Sequence, residues 1–262
     1  MSRDVGATLR FSEPRVWLVP AIALFGVAIL LLTDSNRQVF LALNRLGPLT
    51  SDWLWANMNI LGDTVVALTL CLPLARRRPD LLWAIIPAAL LGTLWVHACK
   101  PIIDVLRPPA VLDPNTFHVI GPPHHYHSFP SGHTTTIFLF AGMFVLAFGA
   151  RAAGVLVLAL AVAVAVSRSV AGVHWPLDLC GGAFGGWLAA VLGLKLASKL
   201  RFGLHPAVQW GIALALVGCA VALLAGHDTG FPQAVWFQRI IAVVSLTSFA
   251  VTFLPSRRPL PE

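Results

Sequence analysis

The sequence predicts an all-α protein, a polytopic transmembrane helical bundle, and three observations support this fold class. Hydrophobic residues make up 57% of the 262 residues and charged residues only 11%, and the mean hydropathy is +0.80. Eight apolar runs approach the roughly 20 residues that an α-helix needs to cross a bilayer. The charged residues gather in short clusters between these runs, as they do in the loops of membrane proteins.

The eight runs give the expected order of spans. They cover about 16–33, 54–74, 81–99, 133–149, 152–168, 176–196, 207–226 and 238–254. We expect one integral membrane domain over 1–262, with a six-span core at about 16–200 and two further C-terminal spans at about 207–254. The first run follows a basic N-terminus, as in a signal peptide, but no small-residue cleavage site follows it. A retained first span is therefore the better interpretation.

The basic residues predict the orientation of the chain. With the N-terminus in the cytoplasm, twelve of the 18 Lys and Arg residues lie on the cytoplasmic side. Three of the other six are Lys100, Arg107 and Arg168. The positive-inside rule therefore favours a multi-pass protein of the bacterial inner membrane, with residues near 100–178 facing the periplasm. The formal net charge of +7 is divided among loops, so no nucleic-acid partner is expected.

Three polar clusters interrupt the apolar sequence between residues 100 and 178. In chain order they are Lys100 with Arg107-Pro108, then Pro130-Ser131-Gly132-His133, then Ser167-Arg168 with His174 and Asp178. The guanidinium groups of Arg107 and Arg168 can each bind two phosphate oxygens, while Lys100 acts as a point charge. The Ser131-Gly132 turn opens a predicted helix, whose free N–H groups attract anions. This inventory suits phosphate binding and phosphoryl transfer.

These clusters resemble the three-part signature of the phosphatidic acid phosphatase type 2 superfamily, which includes membrane lipid phosphatases and vanadium haloperoxidases. The matching pattern is Lys, six residues, Arg-Pro; then Pro-Ser-Gly-His; then Ser-Arg, five residues, His, three residues, Asp. The resemblance covers about the middle third of the chain. It implies that His174 is the nucleophile and forms a phosphohistidine. Asp178 would orient its ring, and His133 would serve as general acid and then as general base. No metal and no cofactor are expected.

Four further features have open interpretations. Ser167 serves either packing or a minor phosphate contact. Asp63, with Asn59 nearby, either supports the site or is a satisfied buried carboxylate. Asp104 lies four residues from Lys100 and could simply pair with it. The histidine-rich loop 118–127 covers the site or is a solvated tract, with a metal site as the less favoured alternative.

The resemblance implies a lipid phosphatase that acts on a phosphate or diphosphate at the outer leaflet. Undecaprenyl diphosphate is slightly favoured as substrate, with phosphatidylglycerophosphate and lipid A phosphate as alternatives. A lipid phosphotransferase would use the same site. From another class, a polytopic transporter or metal-binding membrane protein is the remaining alternative. The expected partners are the bilayer and its lipids, and the two C-terminal spans are candidates for homodimer contacts.

Overall fold

The computed structural model describes residues 5–149 and 152–253, and every regular element within these ranges is a helix. The ten main helices are α1 Pro14–Leu32, α2 Asn36–Asn44, α3 Asp52–Ile60, α4 Thr64–Thr69, α5 Pro79–Ile103, α6 Gly132–Phe148, α7 Ala152–Val170, α8 Pro176–Lys199, α9 Pro206–Ala225 and α10 Val235–Val251. Shorter helical turns cover Val5–Thr8, Leu46–Leu49, Leu72–Leu74, Pro108–Val111, Pro114–Thr116, Arg201–Leu204 and Pro232–Ala234. The predicted all-helical fold class is confirmed.

The expected spans all correspond to helices, with two differences of form. Six helical segments of the described ranges are long and apolar enough to cross a membrane. The fourth expected span is the shorter helix α6, which has 17 residues. The second is α3 followed by α4 and the turn Leu72–Leu74, bent by 62°. Four basic residues counted for the orientation lie outside the described residues, as does the last residue of the eighth expected span. They are Arg3, Arg151, Arg257, Arg258 and Leu254.

The second expected span, at about 54–74, is a broken helix, because the chain bends at Gly62 and Asp63. The Asp63 carboxylate oxygen Oδ1 accepts hydrogen bonds from the N–H groups of Val65 at 2.8 Å and Val66 at 3.1 Å. It therefore caps a new helix rather than lying inside an old one. At Gly62 a Cβ atom would lie only 2.8 Å from the Cβ of His133, so the break also lets α6 approach closely.

Helix α8 is the centre of the bundle and packs against α1, α5 and α6. Its Trp187 side chain is 1% exposed and donates a hydrogen bond from Nε1 to the carbonyl of Val16, 2.9 Å away. Because α8 is enclosed on several sides, its N-terminal end lies in the protein interior rather than at the lipid surface. That end carries the third polar cluster.

The glycines of α8 permit this close packing, and they include Gly181, Gly182, Gly185 and Gly186. A Cβ atom at Gly186 would lie 2.2 Å from the backbone carbonyl oxygen of Thr135 on α6. On the adjacent face, a Cβ atom at Gly185 would lie 2.0 Å from Nε1 of Trp95 on α5. The helices therefore meet at backbone distance, as small residues allow in membrane bundles.

The close contact between α6 and α8 should make Gly186 intolerant of even one methyl group. We expect Gly186→Ala to lower the thermal unfolding midpoint in detergent by about 5 °C, because the backbone of Thr135 cannot rotate away as a side chain can. Gly218→Ala on α9 is the matched control, since a Cβ atom there meets nothing within 4 Å. Equal midpoints for the two variants would contradict this packing.

Candidate active site

The third cluster forms a buried His–Asp pair at the start of α8. His174 lies in the turn between α7 and α8, and Asp178 lies in the first turn of α8. The Nδ1 atom of His174 is 3.1 Å from Oδ2 of Asp178, and both side chains are at most 2% exposed. The same oxygen accepts hydrogen bonds from the N–H of Trp175 at 2.8 Å and the hydroxyl of Ser128 at 2.5 Å. Asp178 thus holds the proton on Nδ1 and leaves Nε2 with the lone pair.

The other ring nitrogen of His174 faces a cation. Nη1 of Arg107 lies 3.2 Å from Nε2 and 3.3 Å from the carbonyl oxygen of Val173. Burial lowers the pKa of His174 well below its ordinary value of 6.5, and the charges of Arg107 and Arg168 lower it further. The imidazole is therefore neutral near pH 7, as a nitrogen nucleophile must be.

The histidine-rich loop holds Arg107 through backbone carbonyls. The backbone N–H of Arg107 donates to the carbonyl of His125, and its Nε donates to the carbonyl of Tyr126, both at 2.9 Å. Two loop histidines pair with carboxylates, His118 with Asp52 at 2.8 Å and His127 with Asp104 at 3.1 Å. Within the described ranges no group of three or more His, Cys, Asp or Glu side chains could hold a metal ion. Loop 118–127 therefore shapes the cation site.

Arg168 is the second buried guanidinium and is oriented by the broken span. It is 4% exposed, and its Nη1 donates to the Oδ1 of Asn59 on α3. Asn59 is itself fixed, because its Nδ2 donates to the carbonyls of Trp55 at 2.8 Å and Ser167 at 3.2 Å. The Nε of Arg168 is buried and has no hydrogen-bond partner among the described residues. A buried N–H of a cation without a protein partner is suited to receive an anion.

The second cluster opens α6 and contributes differently from expectation. Ser131 is the N-cap residue: its hydroxyl accepts from the N–H of Thr134 at 3.4 Å. Its own backbone N–H donates to the carbonyl of Asp178 at 3.1 Å. Because that N–H is already used, the expected anion cradle rests on the following residues, Gly132 and His133. The link between Ser131 and Asp178 also joins the second and third clusters.

A cavity of about 250 Å³ is lined by Lys100, Gly132, His133 and Asp63, whereas Arg107, Arg168, His174 and Asp178 are not among its lining residues. The Nε2 of His133 is buried and has no hydrogen-bond partner among the described residues. Direct contacts join Arg107 to His174, His174 to Asp178, and Asp178 to Ser131. Arg168 is held by Asn59, and Lys100, Gly132 and His133 line the cavity.

The three supporting candidates have separate outcomes. Ser167 donates its hydroxyl proton to the carbonyl of Val164 at 2.7 Å, so it serves helix packing. Asp104 does not pair with Lys100 as the sequence spacing suggested, because α5 ends at Ile103 and Asp104 has φ +23°. Its side chain is 66% exposed and pairs with His127. Asp63 caps α4 and lines the cavity, so it lies beside the site.

Sequence reasoning missed Ser128, which completes the hydrogen bonds of Asp178 and is fully buried. Its position two residues before Pro130 was the available signal, but a serine in an irregular loop carries no periodic pattern. Asn59 was noted only as a neighbour of Asp63. An amide within an apolar run is a candidate for a functional contact, and here it fixes Arg168.

Comparison with known proteins gives a family model, two curated relatives and a solved structure. The family model described as the PAP2 superfamily matches residues 80–202. The Escherichia coli (strain K12) protein named "Putative undecaprenyl-diphosphatase YbjG" is 47% identical over 82 residues, which cover 28% of this chain and 41% of that one. The Rhizobium etli protein named "Lipid A 1-phosphatase" is 37% identical over 83 residues, covering 31% and 35%. The alignments thus span less than half of either curated relative.

A solved structure extends the similarity to most of a relative's length. The crystal structure of Aquifex aeolicus LpxE matches with a TM-score of 0.55 and 30% sequence identity, covering 61% of this chain and 94% of that chain. The region that the family model matches, residues 80–202, contains all three polar clusters, from Lys100 to Asp178. On the strength of the clusters, the helical fold and these matches, the chain belongs to the PAP2 superfamily, the phosphatidic acid phosphatase type 2 family.

Proposed function

We propose that this protein is a metal-independent membrane lipid phosphatase that hydrolyses a lipid phosphate or diphosphate through a phosphohistidine at His174. One observation carries the proposal: His174 is neutral and buried, with Nδ1 bonded to Asp178 and Nε2 beside Arg107. A nucleophilic nitrogen next to a fixed guanidinium is the arrangement that attack on a phosphorus atom needs.

In the first step the Nε2 lone pair of His174 attacks phosphorus, and the bond from phosphorus to the leaving oxygen breaks. The leaving oxygen takes a proton from Nε2 of His133, which lies buried at the cavity wall. Asp178 stabilises the positive ring that forms on His174. Arg107, Arg168 and Lys100 balance the charge on the phosphoryl oxygens, which is the main requirement of phosphoryl transfer.

In the second step a water molecule attacks the phosphohistidine. His133, now neutral, removes a proton from this water, the water oxygen bonds to phosphorus, and the bond between phosphorus and Nε2 breaks. His174 recovers its lone pair, His133 recovers its proton, and inorganic phosphate is the product. The buried Nε of Arg168, free of protein partners in the described chain, is suited to bind one phosphoryl oxygen throughout both steps.

Undecaprenyl diphosphate is the slightly favoured substrate, ahead of lipid A phosphate and phosphatidylglycerophosphate. The support is the higher local identity to the relative named for undecaprenyl diphosphate, 47%, than to the relative named for lipid A, 37%. The periplasmic leaflet is the proposed location. The site lies at the end of the bundle remote from the basic turns at 76–78 and 199–201, which the positive-inside rule assigns to the cytoplasm.

Phosphate release by the purified protein in detergent tests this function. We expect release from undecaprenyl diphosphate to exceed release from phosphatidylglycerophosphate and lipid A. Release should persist in EDTA, because side-chain cations neutralise the phosphoryl charge, and orthovanadate should inhibit it. A parallel reaction with an alcohol acceptor measures phosphotransfer. Strict dependence on a divalent ion, or transfer to the alcohol in preference to water, would contradict metal-independent hydrolysis.

The nucleophile assignment predicts that His174→Ala lowers the rate of phosphate release by about 10⁴-fold or more, because no other group can form the covalent intermediate. Reactions with ³²P-labelled substrate, quenched in alkaline detergent because the N–P bond of phosphohistidine hydrolyses in acid, should trap labelled wild-type protein and no labelled variant. The matched control is His205→Ala, which removes an exposed histidine at the start of α9. Trapped label on His174→Ala would overturn the assignment.

The position of the acidic limb of the pH profile follows from the lowered pKa of His174. The nucleophile works only when neutral, and burial with the neighbouring arginines keeps it neutral below its ordinary value of 6.5. We therefore expect the acidic limb of kcat/KM, where His174 becomes protonated, to lie well below pH 6.5, with a separate alkaline limb where His133 loses the proton that it donates. An acidic limb centred at pH 6.5 or above would show that His174 titrates as an unperturbed group.

A further inference from the structure

The turn between the two C-terminal helices reaches the wall of the candidate active site. Nε2 of His227, just after α9, lies 3.4 Å from Oδ2 of Asp63. Asp63 lines the cavity together with Lys100 and His133. The family model ends at residue 202, so His227 belongs to the part of the chain that follows the matched region. The contact therefore joins the C-terminal pair of helices to the site.

The carboxylate of Asp63 contacts both the start of α4 and the C-terminal turn. Nε2 of His227 lies 3.4 Å from both Oδ1 and Oδ2, and Oδ1 also accepts the N–H groups of Val65 and Val66 that begin α4. Because the carboxylate is shared between the helix start and the C-terminal turn, His227 restrains the bend between α3 and α4. The side chains are only 29% and 18% exposed, which shields the pair from competing water.

This bend lies between two groups of the proposed mechanism. On its α3 side, Asn59 orients Arg168 through a buried hydrogen bond. At the bend itself, Gly62 abuts α6, where an added Cβ would lie 2.8 Å from the Cβ and 3.0 Å from the carbonyl oxygen of His133. A small rotation of the bend would therefore shift Asn59, which holds the guanidinium of Arg168, and Gly62, which packs against His133, at the same time.

The turn between α9 and α10, which carries His227, is held in place by packing and hydrogen bonds. Helix α9 packs against α4, and α10 packs against α4 and the turn Leu72–Leu74. The fully buried Gln238 donates from Nε2 to the carbonyl of His227 at 3.1 Å. Phe231 is 5% exposed, and the turn Pro232–Ala234 packs against α3. His227 is thus presented from a fixed backbone on both sides.

We propose that His227 is a positioning residue: through Asp63 it fixes the bend of the second span, and with it the placement of Arg168 and His133 in the active site. The two C-terminal helices are the scaffold that presents it. This inference rests on the proposed phosphatase function, because it assigns a consequence for phosphoryl transfer. A contact that only attached the C-terminal helices to the bundle would change stability without changing the chemistry.

The test compares four variants: His227→Ala, His227→Gln, Asp63→Asn and the double variant His227→Ala/Asp63→Asn. His205→Ala at the opposite end of α9 is the matched control. Measured quantities are kcat and KM for phosphate release from undecaprenyl diphosphate, the Kd of orthovanadate by calorimetry, and the thermal midpoint. Orthovanadate probes the oxyanion site without requiring turnover, so it also reports on a protein that hydrolyses none of the lipids.

We expect His227→Ala to lower kcat about tenfold with KM within about twofold, and to weaken vanadate binding several-fold, since small misplacements of catalytic groups act mainly on the transition state. His227→Gln keeps an N–H donor and should recover most of the loss. The double variant should be no slower than the slower single variant, as for two groups acting as one unit. His205→Ala should match the wild type in kcat, KM and vanadate affinity, and because it removes the N-cap side chain of α9 it controls for a loss of stability alone.

A lower thermal midpoint with unchanged kcat and vanadate affinity would overturn the proposal, as would additive losses in the double variant. If His227→Ala is not recovered folded, His227→Asn compared with His227→Gln gives the same contrast, because the shorter amide cannot reach Asp63. Absence of lipid hydrolysis by the wild type would refute the proposed function instead, while the vanadate affinities would still decide whether His227 organises the site.

Discussion

The site depends on one buried carboxylate. Oδ2 of Asp178 accepts hydrogen bonds from His174, Trp175 and Ser128, and the backbone carbonyl of the same residue accepts the N–H of Ser131. Burying a charge without partners costs several kcal/mol, so this residue can be interior only because donors from residues 128–131 and 174–175 converge on it. In converging they bring the second and third clusters together, and the first cluster joins them through Arg107, whose Nη1 lies 3.2 Å from Nε2 of His174.

The packing of α8 makes that convergence possible. Its glycines let α6 and α5 approach at backbone distance, and the buried Trp187 ties it to α1. With α8 fixed, its first turn stands in the protein interior, where the low polarity strengthens every charge–dipole contact. The same burial keeps His174 neutral. Helix packing and the protonation state of the proposed nucleophile are thus two results of one arrangement.

Much of this could be predicted from sequence because it depends on local composition. Hydropathy identified every main span, and the spacing of polar residues identified the family and the groups that meet. The break at Gly62 was not predictable, because residues 54–74 read as one apolar run and the cap depends on partners that only folding supplies. The failed pairing of Asp104 with Lys100 has a similar origin: the spacing suits a helix, but the helix ends one residue earlier.

Contacts made by irregular segments were the hardest to predict from the sequence. Arg107 is held by the carbonyls of His125 and Tyr126, and backbone groups carry no side-chain signature in a sequence. The histidines of that loop therefore attracted a metal hypothesis, although its main-chain atoms are what reach the site. His227 was likewise invisible, since its partner is 164 positions away along the chain.

The hydrogen bonds that hold the Arg107 side chain have a consequence for turnover. Two of its three guanidinium nitrogens, Nε and Nη1, already bond to the protein, so the side chain is immobilised before any ligand arrives. An immobilised side chain loses little conformational entropy when it binds a tetrahedral anion. Free orthophosphate is also a tetrahedral anion, so the site binds the product by the same contacts as the transferred group. For the proposed hydrolysis, the rigidity that favours the chemistry would also delay departure of the product.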